Sequence, residues 1–266
     1  MESAQHKENG PDRSGADRIR LRSSPAGGNY VKVRARDFFA TVDRSFCEAD
    51  EFRELMSGID ERMESGQIIK DANNSRSTCV VRLRLGGHDV MIKRYNYKGL
   101  AHSLGRTIQG SRARYNWVWS QSLMRLGIPS PRPFAFVEMH WGPLVWKSYS
   151  LCEYVDARSL RQVLEQGHCG AGELTQVAEK VRRLLTLMAE RKVTHGDLKM
   201  ENILLRDDAA IIVDLDQVRI HRCGLTYRRR RRQDLATLRR YTREFPQLDA
   251  ILDRMIGERL SRVSGK

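Results

Sequence analysis

The sequence predicts an α+β chain in two lobes, β-rich first and helical second. Three observations carry this. Residues 79–95 hold two segments in which apolar side chains alternate with polar ones, and residues 134–154 hold a second candidate strand pair. From Asp156 onward, apolar residues recur at helical spacing. With 266 residues, 40% of them hydrophobic, the chain can bury a sizeable core.

The elements follow in order. Residues 1–28 are rich in Ser, Gly, Asp and Arg, and read as a tail. Their polar start lacks the apolar core of a secretion signal, and no apolar run approaches the roughly 18–20 residues of a membrane span. Residues 50–65 have a helical pattern of mixed charge, and residues 67–70 form a short apolar-containing stretch. A polar turn region, D-A-N-N-S-R-S-T at 71–78, precedes a half-buried strand at 79–85. Gly86 and Gly87 make a tight turn into a strand at 88–95, completing an antiparallel meander. Residues 111–126 form a helix that Gly127 and the prolines Pro129, Pro131 and Pro133 stop. Residues 134–139 and 144–154 make a hairpin, with Trp141 and Gly142 near its turn. Val177, Val181, Leu184, Leu185 and Met188 mark one face of a helix. Short apolar runs follow at 203–205 and 210–213, and Leu248, Ile251, Leu252, Met255 and Ile256 mark a last amphipathic helix. The expected division is a tail over 1–28, a first lobe over 29–153 and a second over 154–266, the two lobes forming one domain.

Charge and cysteines narrow the function. The chain carries 47 Lys and Arg against 33 Asp and Glu, a net +14 that favours an anionic partner: nucleic acid, an acidic membrane face or a phosphorylated substrate. Its five cysteines are odd in number and hold no C-x-x-C pair, as expected of reduced cysteines in a cytosolic protein. His168 with Cys169 and His221 with Cys223 do not supply the four ordered ligands of a structural zinc site.

The chemistry lies in residues 193–205, V-T-H-G-D-L-K-M-E-N-I-L-L, and 211–216, I-I-V-D-L-D. The spacing H-x-D-x-x-x-x-N, followed twelve positions after the Asn by an Asp ending an apolar strand, matches a kinase catalytic signature. Phosphoryl transfer needs a carboxylate to orient the attacking hydroxyl and take its proton, hard oxygen ligands for Mg²⁺, and cations near the phosphates. Asp197 is the candidate base. Asn202 and Asp214 are candidate Mg²⁺ ligands, and Lys199 can reach the transferred phosphoryl group. His195 is expected to order the loop, and Asp216, standing where many kinases have Gly, reads as a second ligand or as merely polar. Lys93, closing V-M-I-K at the end of a strand, would bind the α- and β-phosphates.

Several features depart from a protein kinase. The phosphate-covering turn at 71–78 contains no Gly, so Ser75, Arg76, Ser77 and backbone N–H groups are the expected phosphate contacts. No Asp or Glu occurs between Asp89 and Glu138, so Lys93 lacks the usual acid on the next helix. Its partner would be Asn116, Gln121, or an acid from elsewhere such as Glu48, Glu51 or Glu54. Gly196 stands where regulated protein kinases usually have Arg, and no A-P-E element follows Asp214, which favours a small-molecule or glycan acceptor. An atypical protein Ser/Thr kinase and a non-catalytic kinase-like binding module are the alternative readings.

The sequence resembles the bacterial lipopolysaccharide core kinases, which include the heptose and Kdo kinases. The matching segments are I-K-R-Y-N at 92–96, S-R-A-R-Y-N-W at 111–117, L-G-I-P-S-P-R-P at 126–133, H-G-D-L-K-M-E-N at 195–202, V-D-L-D-Q-V-R at 213–219 and R-R-Q-D-L-A-T-L-R-R at 231–240. The resemblance implies a two-lobed protein-kinase-like fold that uses ATP and Mg²⁺ to phosphorylate a sugar hydroxyl, on heptose or Kdo, of the inner core. It places the protein in the cytoplasm, peripheral to the inner membrane. The nucleotide-binding set expected is Lys93, Ser75, Arg76, Glu153, Val155 and Asn202. Some members carry Glu where Asn116 stands, so the partner of Lys93 stays open.

Five consecutive arginines, Arg228 to Arg232, have Arg222, Arg239 and Arg240 nearby. They read either as a solvated helix start or as a patch for anionic lipid and core phosphates. A nucleic-acid reading fits the charge but lacks a supporting motif, and no nucleic acid is expected. Most of the tryptophans are expected in the core.

Overall fold

The computed structural model describes residues 20–23, 30–34, 38–47, 55–70, 78–85, 87–96, 110–142, 144–166, 170–246, 248–250 and 253. The first half forms β1 (Arg20–Ser23), β2 (Tyr30–Arg34), β3 (Phe38–Asp43), α1 (Arg44–Cys47), α2 (Ile59–Glu64), β4 (Gln67–Lys70), β5 (Thr78–Leu85), β6 (His88–Tyr95), α3 (Arg112–Arg125), β7 (Pro133–Trp141) and β8 (Leu144–Glu153). Its strands make one antiparallel sheet in the order β1-β2-β3-β7-β8-β6-β5-β4.

The period of two divides this sheet into faces with different tasks. Val33, Ala40, Val42, Ile92, Val137 and Leu151 point to one side and pack with Phe46, Leu55, Ile59 and Met63 as an apolar core. Lys93 pairs with Ser150 and Met91 with Cys152 in the β6–β8 register, so these four share the opposite face. On that face Tyr95 and Phe136 pack with Ala113 and Trp117 of α3.

Helix α3 starts at Ser111, whose hydroxyl accepts from the Arg114 N–H at 3.1 Å, a standard N-cap. Its end explains the glycine and proline cluster. Gly127 is left-handed at φ 69°, and the N–H groups of Gly127 and Ile128 return to the Met124 and Leu123 carbonyls at 3.0 Å each. The Pro129 carbonyl then accepts from Ile212 N–H at 3.0 Å, tying the end of α3 to the second half.

The second half contains β9 (Arg158–Ser159), α4 (Leu160–Glu165), α5 (Ala171–Glu190), β10 (Val193–Thr194), β11 (Ile203–Arg206), β12 (Ala209–Ile212), β13 (Arg219–Ile220) and α6 (Gly224–Thr242). Ser159 and Gln162 form a reciprocal capping box on α4. The apolar stripe read from the sequence is the buried face of α5, and its residues meet Leu160, Leu198, Met200, Ile203 and Ile212 in the main core. No helix among the described residues is long and apolar enough to cross a membrane.

Three differences from the sequence reading stand out. β1 lies inside the segment expected to be a tail, and it pairs with β2. β2 and β3, unassigned in the sequence reading, carry the pattern Y-V-K-V-R and F-F-A-T-V-D and bury Val33, Ala40 and Val42. Residues 55–57 are helical and helix α2 follows Gly58, as the pattern at 50–65 predicts, while residues 50–54 lie outside the described ones. Trp117 is buried as expected, whereas Trp141 at the β7–β8 tip is 74% exposed. In the last amphipathic segment Leu248 is buried, and the remaining apolar positions lie outside the described residues.

Candidate active site

The loop after β10 is held by buried polar groups. His195 is fully buried. Its Nδ1 accepts from the Asp197 N–H at 3.4 Å, which leaves the proton on Nε2, and Nε2 donates to the Val213 carbonyl at 2.8 Å. The imidazole therefore orders the chain, as expected, and fixes the loop against the residue preceding Asp214. Asn202 adds a second clamp: its side-chain N–H donates to the Asp197 carbonyl at 2.8 Å, and its own carbonyl accepts from Val213 N–H at 3.0 Å. Lys199 lies 3.0 Å from Asp197 Oδ2, and that carboxylate raises the lysine pKa.

A carboxylate from α6 supports the same loop. Asp234 is buried, and its two oxygens accept from the His195 and Gly196 N–H groups at 2.6 and 2.8 Å. Burial raises its pKa, with the two amides pulling in the opposite direction. The sequence reading used the stretch around Asp234 only as a family marker. Its signal as a site residue was a lone Asp after an arginine run, on a helix whose buried stripe (Tyr227, Asp234, Leu238, Thr242) is otherwise uncharged.

Gly196 gains a physical reason. Its φ is 86°, and a Cβ there would lie 2.8 Å from both the Cβ and the carbonyl oxygen of Gln217. The position is thus closed to side chains, and the missing Arg is a consequence of packing as well as of function.

The second cluster surrounds Lys93. Its ammonium lies 2.5 Å from Asp214 Oδ1 and 3.0 Å from Asp216 Oδ2. Burial pulls the lysine pKa down, but the two aspartates outweigh it and leave it raised. This corrects the expected partnership. Asn116 donates to Asp216 instead, Gln121 accepts from the Tyr30 hydroxyl, and Glu48, Glu51 and Glu54 lie outside the described residues. Asp214 sits at φ 59° and ψ 60°, the left-handed region, between β12 and a 3-10 turn over Leu215–Gln217.

A cavity of about 290 Å³ opens beside these groups. Val80, Met91, Cys152, Val213 and Leu215 give it apolar walls, and Lys93, Arg112, Asn116 and Asp214 supply its polar groups. Burial pushes the Cys152 thiol up to about 12, so it contributes an apolar surface rather than a reactive group.

The structure thus brings Lys93 and Asp214 together at the cavity and holds Asp197, Lys199 and Asn202 in one loop beside them. Glu153 and Val155 do not line this cavity. The Glu153 side chain faces a second hollow with Asp89 and Arg132, and the Val155 carbonyl accepts from Ala157 N–H at 3.0 Å. Ser75 and Arg76 lie outside the described residues. Tyr95, Arg112 and Asp234 are the residues the sequence reading did not place in the site, and Asp216 is the one it left between a second ligand and a merely polar residue.

Comparison with known proteins agrees with this geometry. A solved structure titled "WaaP in complex with acyl carrier protein" aligns with TM-score 0.52 at 18% identity, over 77% of this chain and 87% of that one. That likeness shows the kinase-like fold. No curated protein sequence matches. The family model described as "Lipopolysaccharide kinase (Kdo/WaaP) family" matches residues 61–252, which include every segment of the site described above. The chain therefore belongs to the lipopolysaccharide kinase (Kdo/WaaP) family, whose members are ATP-using phosphotransferases acting on a core sugar hydroxyl.

Proposed function

We propose that the chain phosphorylates a heptose or Kdo hydroxyl of the lipopolysaccharide inner core, with Asp197 orienting that hydroxyl and accepting its proton. Lys93 grips the α- and β-phosphates of ATP, and Lys199 neutralises the transferred phosphoryl group. The observation that carries the assignment is the pair of hydrogen bonds at Asn202, donated by its side chain to the Asp197 carbonyl and accepted by its own carbonyl from Val213 N–H, which locks the base against the segment bearing Asp214.

The residues fit a divalent cation. Asp214 is 44% exposed, and its Oδ2 accepts no hydrogen bond among the described residues. The side-chain oxygen of Asn202 is likewise unbonded there. Two hard oxygens on adjoining backbone suit Mg²⁺, which when bound would neutralise charge on the nucleotide's phosphate oxygens.

Labelled ATP incubated with core glycolipid acceptors, each lacking one sugar, tests this. Label is expected in the lipid fraction and is lost with one particular acceptor. Label recovered only on protein or as free phosphate overturns the assignment.

We further propose peripheral contact with the anionic inner-membrane face through α6. Arg228, Arg229, Arg230 and Arg232 are exposed on this helix, and Leu225, one turn earlier, is 77% exposed. Replacing the five arginines 228–232 with Gln is expected to weaken binding to phosphatidylglycerol liposomes at low salt. Unchanged sedimentation with the liposomes would assign the charge elsewhere.

A further inference from the structure

The position of Asp216 resolves what the sequence left double. Its side chain is 8% exposed and belongs to the 3-10 turn after Asp214. Oδ2 accepts from Lys93 at 3.0 Å and from Arg112 at 2.6 Å. Oδ1 accepts from the Tyr95 hydroxyl at 2.6 Å and from the Asn116 side chain at 3.1 Å. A carboxylate offers about four acceptor positions, and four donors occupy them. Asp216 has no lone pair left for a metal, whereas Asp214 keeps Oδ2 open.

The same four donors define a charge arrangement that runs opposite to the expected one. Helix α3 presents a cation and an amide to the cavity, Arg112 and Asn116 one turn apart, instead of an acid. Arg112 also lies with its guanidinium carbon 4.8 Å from the centre of the Tyr95 ring, which fixes the plane of the fork. The acid arrives from the second half of the chain, 123 residues after Lys93.

We infer that Asp216 is the positioning residue for Lys93, replacing the absent acid of α3, and that by holding Arg112 as well it sets two cations toward the triphosphate of the bound nucleotide. This rests on the nucleotide cavity proposed above. Lys93 is 12% exposed, held between one oxygen of this carboxylate and Asp214, while Arg112 is 38% exposed and its remaining N–H groups have no partner among the described residues. The arrangement supplies from α3 the phosphate grip that a glycine-rich turn would otherwise give.

The test is Asp216→Asn in the full chain. The amide oxygen keeps the Tyr95 and Asn116 bonds, but its NH₂ faces Lys93 and Arg112. ATP affinity by calorimetry is expected to fall about 10- to 100-fold, both with Mg²⁺ and with the metal chelated by EDTA. At one fixed pH, Lys93 is expected to react faster with an amine-directed label than in the unaltered chain, because one of its two carboxylate contacts is gone, as read by peptide mass spectrometry. Adding Asn116→Glu, which returns an acid to α3, is expected to recover part of both losses.

Unaltered affinity and labelling in Asp216→Asn overturn the inference. A loss seen only with Mg²⁺ also overturns it and makes Asp216 a metal ligand. Should that variant fail to fold, Arg112→Gln removes only a partly exposed group and is expected to weaken ATP about 10-fold. Full affinity there is equally fatal. An unaltered chain that binds no ATP removes the nucleotide cavity itself, a failure distinct from these.

Discussion

Asp197→Asn is expected to lower kcat by about 10²–10⁴ while leaving ATP affinity nearly unchanged. The amide has the shape of the carboxylate but cannot accept the proton of the attacking hydroxyl. Its loop does not depend on that carboxylate. His195 is held by Val213 and Asp234, and Asn202 bonds the Asp197 backbone carbonyl, not its side chain. The only contact removed among the described residues is the 3.0 Å pair with Lys199, which is partly exposed on both sides. Steady-state kinetics on the glycolipid acceptor, with ATP binding measured separately, checks the split. Turnover like that of the unaltered chain would remove Asp197 as base.

Asp234→Ala is expected to cost stability and activity together, although Asp234 touches no substrate. The substitution leaves two buried N–H donors, of His195 and Gly196, without their acceptors. Each orphaned buried group costs about 1–3 kcal/mol, so denaturant unfolding is expected to show a loss of about 2–6 kcal/mol. The donors belong to the residues just before Asp197, so the loop that survives is looser. A kcat reduction of about 10²-fold is expected at temperatures where the variant stays folded. A variant with unaltered unfolding midpoint and turnover would show that water replaces the carboxylate.

The parts of the site that were legible in the sequence are those whose chemistry is local. His195, Asp197, Lys199 and Asn202 lie within eight residues, and their spacing alone places them on one loop. Asp214 was legible because an apolar strand delivers it. β5 and β6 were legible from their alternation and the glycine turn between them. β2 and β3 alternate too, but they follow a polar, arginine-bearing stretch, and the pairing of β3 with β7 spans about a hundred residues that no local pattern encodes. The partner of Lys93 was hidden for the same reason. With no acid on the next helix, the reading turned to Asn116, Gln121 or an acid such as Glu48, Glu51 or Glu54, while the contact is made in space by a residue in a position usually held by glycine. The segment S-R-A-R-Y-N-W was recognised before its logic was visible. Ser111 caps, Ala113 and Trp117 face the sheet, and Arg112 and Asn116 face Asp216.

The close approach of Gly196 to Gln217 bears on how such an enzyme can be controlled. An arginine at that position is the element by which a phosphorylated segment would be sensed, and here the backbone leaves no room for any side chain. The loop on either side of this glycine is tied down, its amides to Asp234 and its imidazole to Val213. Control by a covalent mark has no receiver at this point of the chain.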